Sequence, residues 1–172
     1  MDSGKIKFER LAPEHAKIAL YLRQEDKNEI KALSGLSPEI GVAYSIASSQ
    51  KGYAAYYDGT LTAIFGISNG LIWLVGTDAI TKHPITFFRT SRKIFHELTK
   101  GHNYLHNYVD ARNKLHLRWL EWIGFTIEEA QILGVENRLF HKVSYNIERG
   151  DNNGRQAQHS TGSGIKHFAE HN

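Results

Sequence analysis

Runs of apolar residues in the middle of the chain are separated by dipeptides that favour tight turns. Within residues 53–67, two strand-favouring runs flank Asp58-Gly59, a dipeptide preferred in type I′ hairpin turns. Asn69-Gly70 offers a second turn of this kind, and the uninterrupted apolar run 71–75 after it is typical of a strand covered on both faces. The pattern predicts three consecutive strands joined by two hairpin turns.

Apolar positions at helical spacing predict four helices around these strands. The first is predicted from near Pro13 to Gly35, on the apolar positions Ile18, Leu22, Ile30 and Leu33. The second and third begin at Ser37-Pro38 and near Pro84, and the third ends at Gly101. The fourth is predicted to be capped by Asn113 and to end at Gly124.

The order of strands and helices indicates the fold class. An opening strand at residues 5–8 and later strands at 104–111 and 139–147 complete the pattern. The order is strand, two helices, three strands, helix, strand, helix and one or two final strands. Neighbouring strands interrupted by crossover helices indicate an α/β (α+β) protein with a mixed sheet flanked by helices.

Length and composition limit the number of domains and indicate the cellular compartment. The 172 residues suit one domain, which we place at 1–147, and the polar, glycine-rich residues 148–172 predict a disordered C-terminal tail. The chain has no cysteine, which excludes disulfides, thiolate metal ligands and a cysteine nucleophile. Because it shows neither a signal peptide nor an apolar run of membrane length, we expect a soluble protein made in the cytoplasm.

Charge and motif patterns narrow the function classes. The net charge of +3 and the pI of about 9.0 suit a protein that binds a phosphate-bearing cofactor, and equally one that binds nucleic acid. The sequence contains no Walker loop, no dinucleotide-binding glycine motif and no Gly-x-Ser-x-Gly nucleophile turn. Its histidines lack the spacing of helical zinc ligands, so we expect no metal site.

Residues 71–125 combine several elements that have a known counterpart. An apolar strand, a loop, a basic amphipathic helix and another strand precede Asn113, and Gly124-Phe125 stands at the end of the next helix. This block resembles the core of the GCN5-related N-acetyltransferases (GNAT). The resemblance implies a mostly antiparallel sheet whose central strands splay apart, with acetyl-CoA as the cofactor in the gap. It also implies that Val75, Thr77 and Asn113 contact that cofactor.

The loop before the basic helix departs from the pattern of the active enzymes that it resembles. Those enzymes carry a glycine-rich turn whose N–H groups converge on the pyrophosphate, at a helix N-terminus. Residues 77–85 contain no glycine, and Pro84 removes one N–H donor. Leu120 stands where many family members have a tyrosine that protonates the leaving thiolate. Both departures predict absent or degenerate acetyltransferase activity.

Other residues could replace the missing groups. Lys82, Arg89 and Arg92 would hold the phosphates by charge instead of through the backbone, or they would form a solvated basic helix face. His116 lies one helical turn after Asn113, where it is the candidate general base, with an ordinary surface or buried histidine as the alternative.

A further set of short motifs resembles a family of phage proteins. The motifs are residues 72–78, 92–94, 106–109, Asn113 and 120–124. They resemble the small internal virion protein family of short-tailed phages. That resemblance implies a part in virion assembly, with other virion or assembly proteins as partners, and a location in the host cytoplasm or the virion interior.

Three functions remain open on the sequence. We expect first a phage internal virion or assembly protein that has a GNAT-like fold and no or degenerate acetyltransferase activity, with acetyl-CoA as its cofactor only if it is active. The alternative is an acetyl-CoA-dependent N-acyltransferase with an atypical pyrophosphate loop. A nucleic-acid-associated protein, suggested by the pI and the basic third helix, is the weakest of the three.

Overall fold

A seven-stranded mixed sheet forms the centre of the computed structural model, which describes residues 5–147. The spatial order of the strands is β1-β2-β3-β4-β5-β7-β6. The strands are β1 Ile6–Arg10, β2 Lys51–Tyr57, β3 Thr60–Ser68, β4 Leu71–Gly76, β5 Tyr104–Asp110, β6 Thr126–Leu133 and β7 Arg138–Asn146. A 3-10 helix, Pro13–Tyr21, precedes five α-helices: α1 Gln24–Ser34, α2 Pro38–Ser48, α3 Ala79–Lys82, α4 Pro84–Thr99 and α5 Lys114–Ile123. The predicted α/β fold class is confirmed.

Two tight turns build the N-terminal half of the sheet. Asp58 and Gly59 adopt φ values of 46° and 80°, and Asn69 and Gly70 adopt 49° and 79°. Positive φ at both central residues is the geometry of a type I′ turn, which matches the right-handed twist of the flanking strands. The two predicted hairpins, β2–β3 and β3–β4, are therefore confirmed.

The core has two layers, one on each face of the sheet. On one face, the 3-10 helix and α2 pack Ile18 and Val42 against Ile64 of β3. On the other face, α4 and α5 supply the larger cluster, which includes Phe95, Leu98 and Leu120. Burial of each such side chain stabilises the fold by roughly 1.5–3 kcal/mol relative to exposure. Among residues 5–147, no helix is both long and apolar enough to cross a membrane.

The central strands β4 and β5 run parallel but pair only at one end. Leu71 pairs with His106, and beyond that point the strands diverge toward their carboxyl ends. β5 continues its hydrogen bonding on the other side, where it pairs antiparallel with β7 along its whole length. The divergence leaves a wedge-shaped gap in the sheet, as the resemblance to the GNAT core implied.

The first predicted helix is wrong in one respect, because it is two elements. The chain is extended at Leu22 and Arg23, with ψ values of 147° and 148°. This break has a tertiary cause: the Arg23 N–H donates to the carbonyl oxygen of Gly76, at 2.9 Å, and Leu22 bridges to Thr77. A helical Arg23 would use that N–H within its own helix.

One later element differs from the sequence prediction, and another decides between two alternatives that it left open. The stretch expected to be a loop before Pro84 contains the short helix α3, whose Ile80 is buried against the end of β4. The number of final strands had been left open at one or two, and β6 is the second of them. It pairs antiparallel with β7 and forms the edge of the sheet.

Candidate functional site

The gap between β4 and β5 begins at an asparagine that bridges the two strands. The Asn107 Nδ2 donates to the Ile72 carbonyl oxygen on β4, at 2.6 Å. The Asn107 Oδ1 accepts from the Tyr108 N–H, at 2.7 Å. The side-chain amide therefore replaces one backbone rung where the strands are too far apart to bond directly, and it fixes the point from which they diverge.

Leu74 presents its backbone to the gap just beyond Asn107. The β3–β4 ladder bonds through alternate residues, and Thr77, whose N–H donates to Thr62 O at 2.8 Å, belongs to the bonded set. By the same alternation, the N–H and C=O of Leu74 point away from β3 and into the gap. Among residues 5–147, β4 and β5 pair only at Leu71 and His106, so their ladder ends before Leu74. A fixed backbone N–H that faces a gap in this way can stabilise negative charge that develops on an oxygen atom.

The mouth of the gap is occupied by the start of α1. The N–H of Gly76, the next residue of β4 that faces the gap, donates to Asp26 Oδ2 at 2.9 Å. The carbonyl oxygen of Gly76 accepts from the Arg23 N–H. Residues 22–26, here called the α1 entry segment, therefore use the free edge of β4 at its carboxyl end.

A buried polar network joins this segment to α5. The Arg23 Nη2 donates to Asp26 Oδ1 at 2.7 Å and to Asn113 Oδ1 at 3.1 Å. The Asn113 Nδ2 donates to Asp26 Oδ1 at 3.0 Å and to Glu29 Oε2 at 3.3 Å. Arg23, Asp26 and Asn113 are each at most 3% exposed. Asn113 stands at the N-cap position of α5, as predicted, but its side chain bonds to the network and makes no capping hydrogen bond.

Among the three carboxyl groups of this region, Glu29 is the one that forms no salt bridge with an arginine. Asp26 pairs with Arg23, and Asp110 pairs with Arg112 at 2.7 Å. Glu29 Oε2 instead accepts from the Asp110 N–H at 2.9 Å. Burial, and next the charge of Asp26, raise the pKa of Glu29 to about 8. A carboxyl group that titrates near neutrality can accept a proton from a reacting group at physiological pH.

A groove opens beside Glu29 on the α1–α2 face of the sheet. It has a volume of about 270 Å³ and lies between α1, α2, β4 and β5. Leu74 and Asn107 border it, so the groove reaches the gap. Glu29 Oε1 has no hydrogen-bond partner among the described residues and is not fully buried, which leaves that oxygen available to the groove.

A smaller, apolar cavity borders the same gap on the opposite face. It has a volume of about 20 Å³, is lined by Leu74, Asn107, His116 and side chains of α4, and has room for about one water molecule. His116 is 5% exposed, and burial lowers its pKa to about 4. Its Nδ1 is buried without a hydrogen-bond partner among residues 5–147. The imidazole is therefore neutral at pH 7, and its part as a base stays a prediction.

The three candidate phosphate-binding cations lie on α3 and α4, which contribute no residue to this polar network. Lys82, Arg89 and Arg92 are exposed on α3 and α4, and the Arg92 guanidinium lies 5.2 Å from the ring centre of Trp122. Thr77 uses its N–H in the β3–β4 ladder and accepts from the Ala79 N–H, at 3.3 Å, through its side-chain oxygen. Contact of the three cations with phosphate, and of Thr77 with the cofactor, stays a prediction.

The remaining predicted residues surround the gap, together with others that sequence reasoning missed. Val75 lines the groove, and His116 lines the opposite cavity. Asn107, Asp26 and Glu29 were missed. The sequence held one signal for Asn107, because an asparagine is unfavourable inside a strand unless its side chain has a specific partner. It held no signal for the two acidic residues, which resemble ordinary exposed positions of a charged helix.

Solved acetyltransferases share this fold. No family model matches the chain, and no curated protein matches it. An aminoglycoside N(6′)-acetyltransferase from Legionella pneumophila superposes with a TM-score of 0.62 at 10% identity, over 89% of this chain and 98% of that one. A GNAT-family acetyltransferase from Bacillus anthracis gives 0.58 at 11% identity, over 86% and 98%.

A third neighbour was solved with its cofactor. The ribosomal L7/L12 alpha-N-protein acetyltransferase RimL, in complex with coenzyme A, gives a TM-score of 0.58 at 9% identity, over 86% of this chain and 96% of that one. At such identities the likeness establishes the fold alone, and the fold is that of the GNAT acetyltransferases.

Proposed function

We propose that this GNAT-fold protein transfers an acyl group from acyl-CoA to an amine, at the gap between β4 and β5. The observation that carries the proposal is the N–H of Leu74, which faces the gap beyond the last β4–β5 pair, where the groove containing Glu29 also reaches. A donor for a developing oxyanion and a carboxyl group poised to accept a proton are the two groups that aminolysis of a thioester needs.

The fit of acyl-CoA to the chain differs along the gap. The cofactor would supply an activated acyl thioester, and the Leu74 N–H suits the carbonyl oxygen of that group. At Gly76 the α1 entry segment is hydrogen-bonded to the edge of β4. This segment would therefore have to move away from β4 before the rest of the CoA molecule could bind along the strand. Lys82 and Arg89 offer exposed positive charge near the start of α4, in place of a glycine-rich turn.

The residues of the chain would divide the work as follows. Glu29 takes a proton from the acceptor ammonium, so that the amine nitrogen has a free electron pair. This nitrogen would form the new C–N bond while the C–S bond of the thioester breaks, and the CoA thiolate would leave with the second proton of the amine. With a pKa of about 8, Glu29 is ionised in a useful fraction of molecules at pH 7 to 8. The Leu74 N–H donates to the oxygen atom that gains negative charge, and Asn107 keeps the strands at the separation that exposes this N–H.

Titration calorimetry with acetyl-CoA tests the proposal. We expect a dissociation constant in the micromolar range, about −8 kcal/mol. Arg89→Ala should weaken binding roughly tenfold, through loss of one charged phosphate contact. Lys93→Ala, which removes another exposed charge of α4, should leave the affinity unchanged. No heat and no thermal stabilisation at millimolar acetyl-CoA would refute the proposal.

Virion assembly remains the second candidate, and one observation favours it. The α1 entry segment fills the mouth of the gap, as expected of a scaffold whose cofactor site is no longer used. The comparisons give no support to the phage family, whereas the acetyltransferase neighbours favour the enzyme. Absence of the protein from purified particles, together with binding of acetyl-CoA, would exclude the assembly role.

A further inference from the structure

We infer that the groove beside Glu29 accepts a primary amine carried on an apolar body about the size of one aromatic side chain. The inference rests on the proposed function, because it names the acceptor of that reaction. It follows from the one carboxyl group that lines the groove, from the absence of cationic residues in its described lining, and from its apolar walls.

One carboxyl group among the residues that line the groove can meet an ammonium ion. Glu29 Oε1 is unpaired, whereas its Oε2 is held by the Asp110 N–H and by Asn113. The neighbouring carboxylates are already matched, Asp26 by Arg23 and Asp110 by Arg112. A bound ammonium would therefore serve as the counter-ion of Glu29 and favour the ionised form of its carboxyl group.

No Lys, Arg or His lines the groove, and Glu29 is the only acidic residue among its lining residues within 5–147. A substrate that carries its own carboxylate, such as an α-amino acid, would find no partner for it there. A polyamine or an aminoglycoside would find one partner for several positive charges. Unpaired charges that lose water on binding are costly, so both classes are disfavoured.

Apolar side chains form the walls of the groove. Trp73, Val42 and Ile30 lie along it, and the rim is formed in part by Leu33 and Leu71, which are 36% and 39% exposed. The Trp73 indole N–H is already bonded to Ser49 Oγ, at 2.9 Å, so the ring contributes hydrocarbon surface without an unmet donor. Apolar walls of this kind favour binding of a ligand with an aromatic or branched aliphatic body.

Direct binding to the full-length protein, without any acyl-CoA, tests the inference. Phenethylamine should bind at least tenfold more tightly than phenylalanine or spermidine. Glu29→Gln keeps an oxygen acceptor for Asp110 and Asn113 but loses the charge, so it should weaken phenethylamine binding roughly tenfold. Leu71→Ala should weaken it severalfold, and Glu25→Gln, an exposed charge of the same helix, should have no effect.

The outcomes separate this inference from the proposed function. Equal or tighter binding of spermidine or phenylalanine, or unchanged binding of phenethylamine to the Glu29→Gln protein, would overturn the inference. Acetyl transfer to spermidine but not to phenethylamine would overturn it while the acyltransferase stands. If the protein binds phenethylamine but does not bind acetyl-CoA, the result would support the proposed class of ligand and refute the proposed acyl transfer.

Discussion

Glu29 is the residue on which the proposed chemistry depends, and its surroundings make a prediction about stability. In the folded protein its pKa lies at about 8, well above its ordinary value of 4.5, mainly because of burial. Between these two values the folded state binds the extra proton, so Glu29 reduces stability as pH rises from about 4.5 to 8. Its unfavourable effect is then fully present above pH 8 and absent below pH 4.5.

Replacement of this carboxyl group by an amide should remove that pH dependence. We expect Glu29→Gln to be more stable than the parent protein at pH 9, by on the order of 1 kcal/mol, and the advantage to shrink toward pH 5. Denaturant unfolding of both proteins at several pH values measures this difference in the free energy of unfolding. An advantage that stays constant over this range would mean that the carboxyl group titrates normally.

The α1 entry segment explains why local patterns missed the break in the first predicted helix. Apolar spacing alone favours a continuous helix across Leu22 and Arg23. The bonds that end it reach β4, since Gly76 lies 50 residues from Asp26 in sequence. Asn113 was recognised as important, but its partners Arg23 and Asp26 lie far along the chain and have no marker in their own neighbourhood.

The buried pair in this segment should be sensitive to the loss of either charge. Asp26→Asn leaves the Arg23 guanidinium buried without a counter-ion, which typically costs about 3–5 kcal/mol. Chemical denaturation measures the loss, and Glu25→Gln on the exposed face of α1 is the matched control, expected to stay within about 0.5 kcal/mol. Equal stability of the Asp26→Asn and parent proteins would show that the network does not hold the segment on β4.

The far end of α1 is held by the turn between β6 and β7. Gly134 has a φ of 76°, and a Cβ atom there would overlap the carbonyl oxygen of Ala32. Glu136 N–H donates to that same oxygen, at 3.2 Å. Gly134→Ala should therefore destabilise the protein by about 1–3 kcal/mol, through strain and displacement of α1. Gly59 also has a positive φ, but open space surrounds it. The Gly59→Ala protein therefore shows the loss of stability due to the positive φ alone, without steric overlap.

At the scale of the molecule, the sequence predicted the fold better than the site. The two turns, the glycine helix ends and the apolar strand β4 are local signals, so the mixed sheet could be predicted, and the resemblance to the GNAT core added the splayed strands. The gap depends on groups that have no local signature, namely the backbone of Leu74 and the amide of Asn107. The raised pKa of Glu29 likewise requires knowledge of which carboxylates already have a cation.

A mass-spectrometric assay of acetyl transfer from acetyl-CoA to phenethylamine tests the central claim most directly. We expect the acetylated amine and an equal amount of free CoA, with turnover reduced roughly a hundredfold in Glu29→Gln and unchanged in Glu25→Gln. Absence of any acetylated product from phenethylamine, spermidine and phenylalanine alike, with a protein shown to be folded, would contradict it.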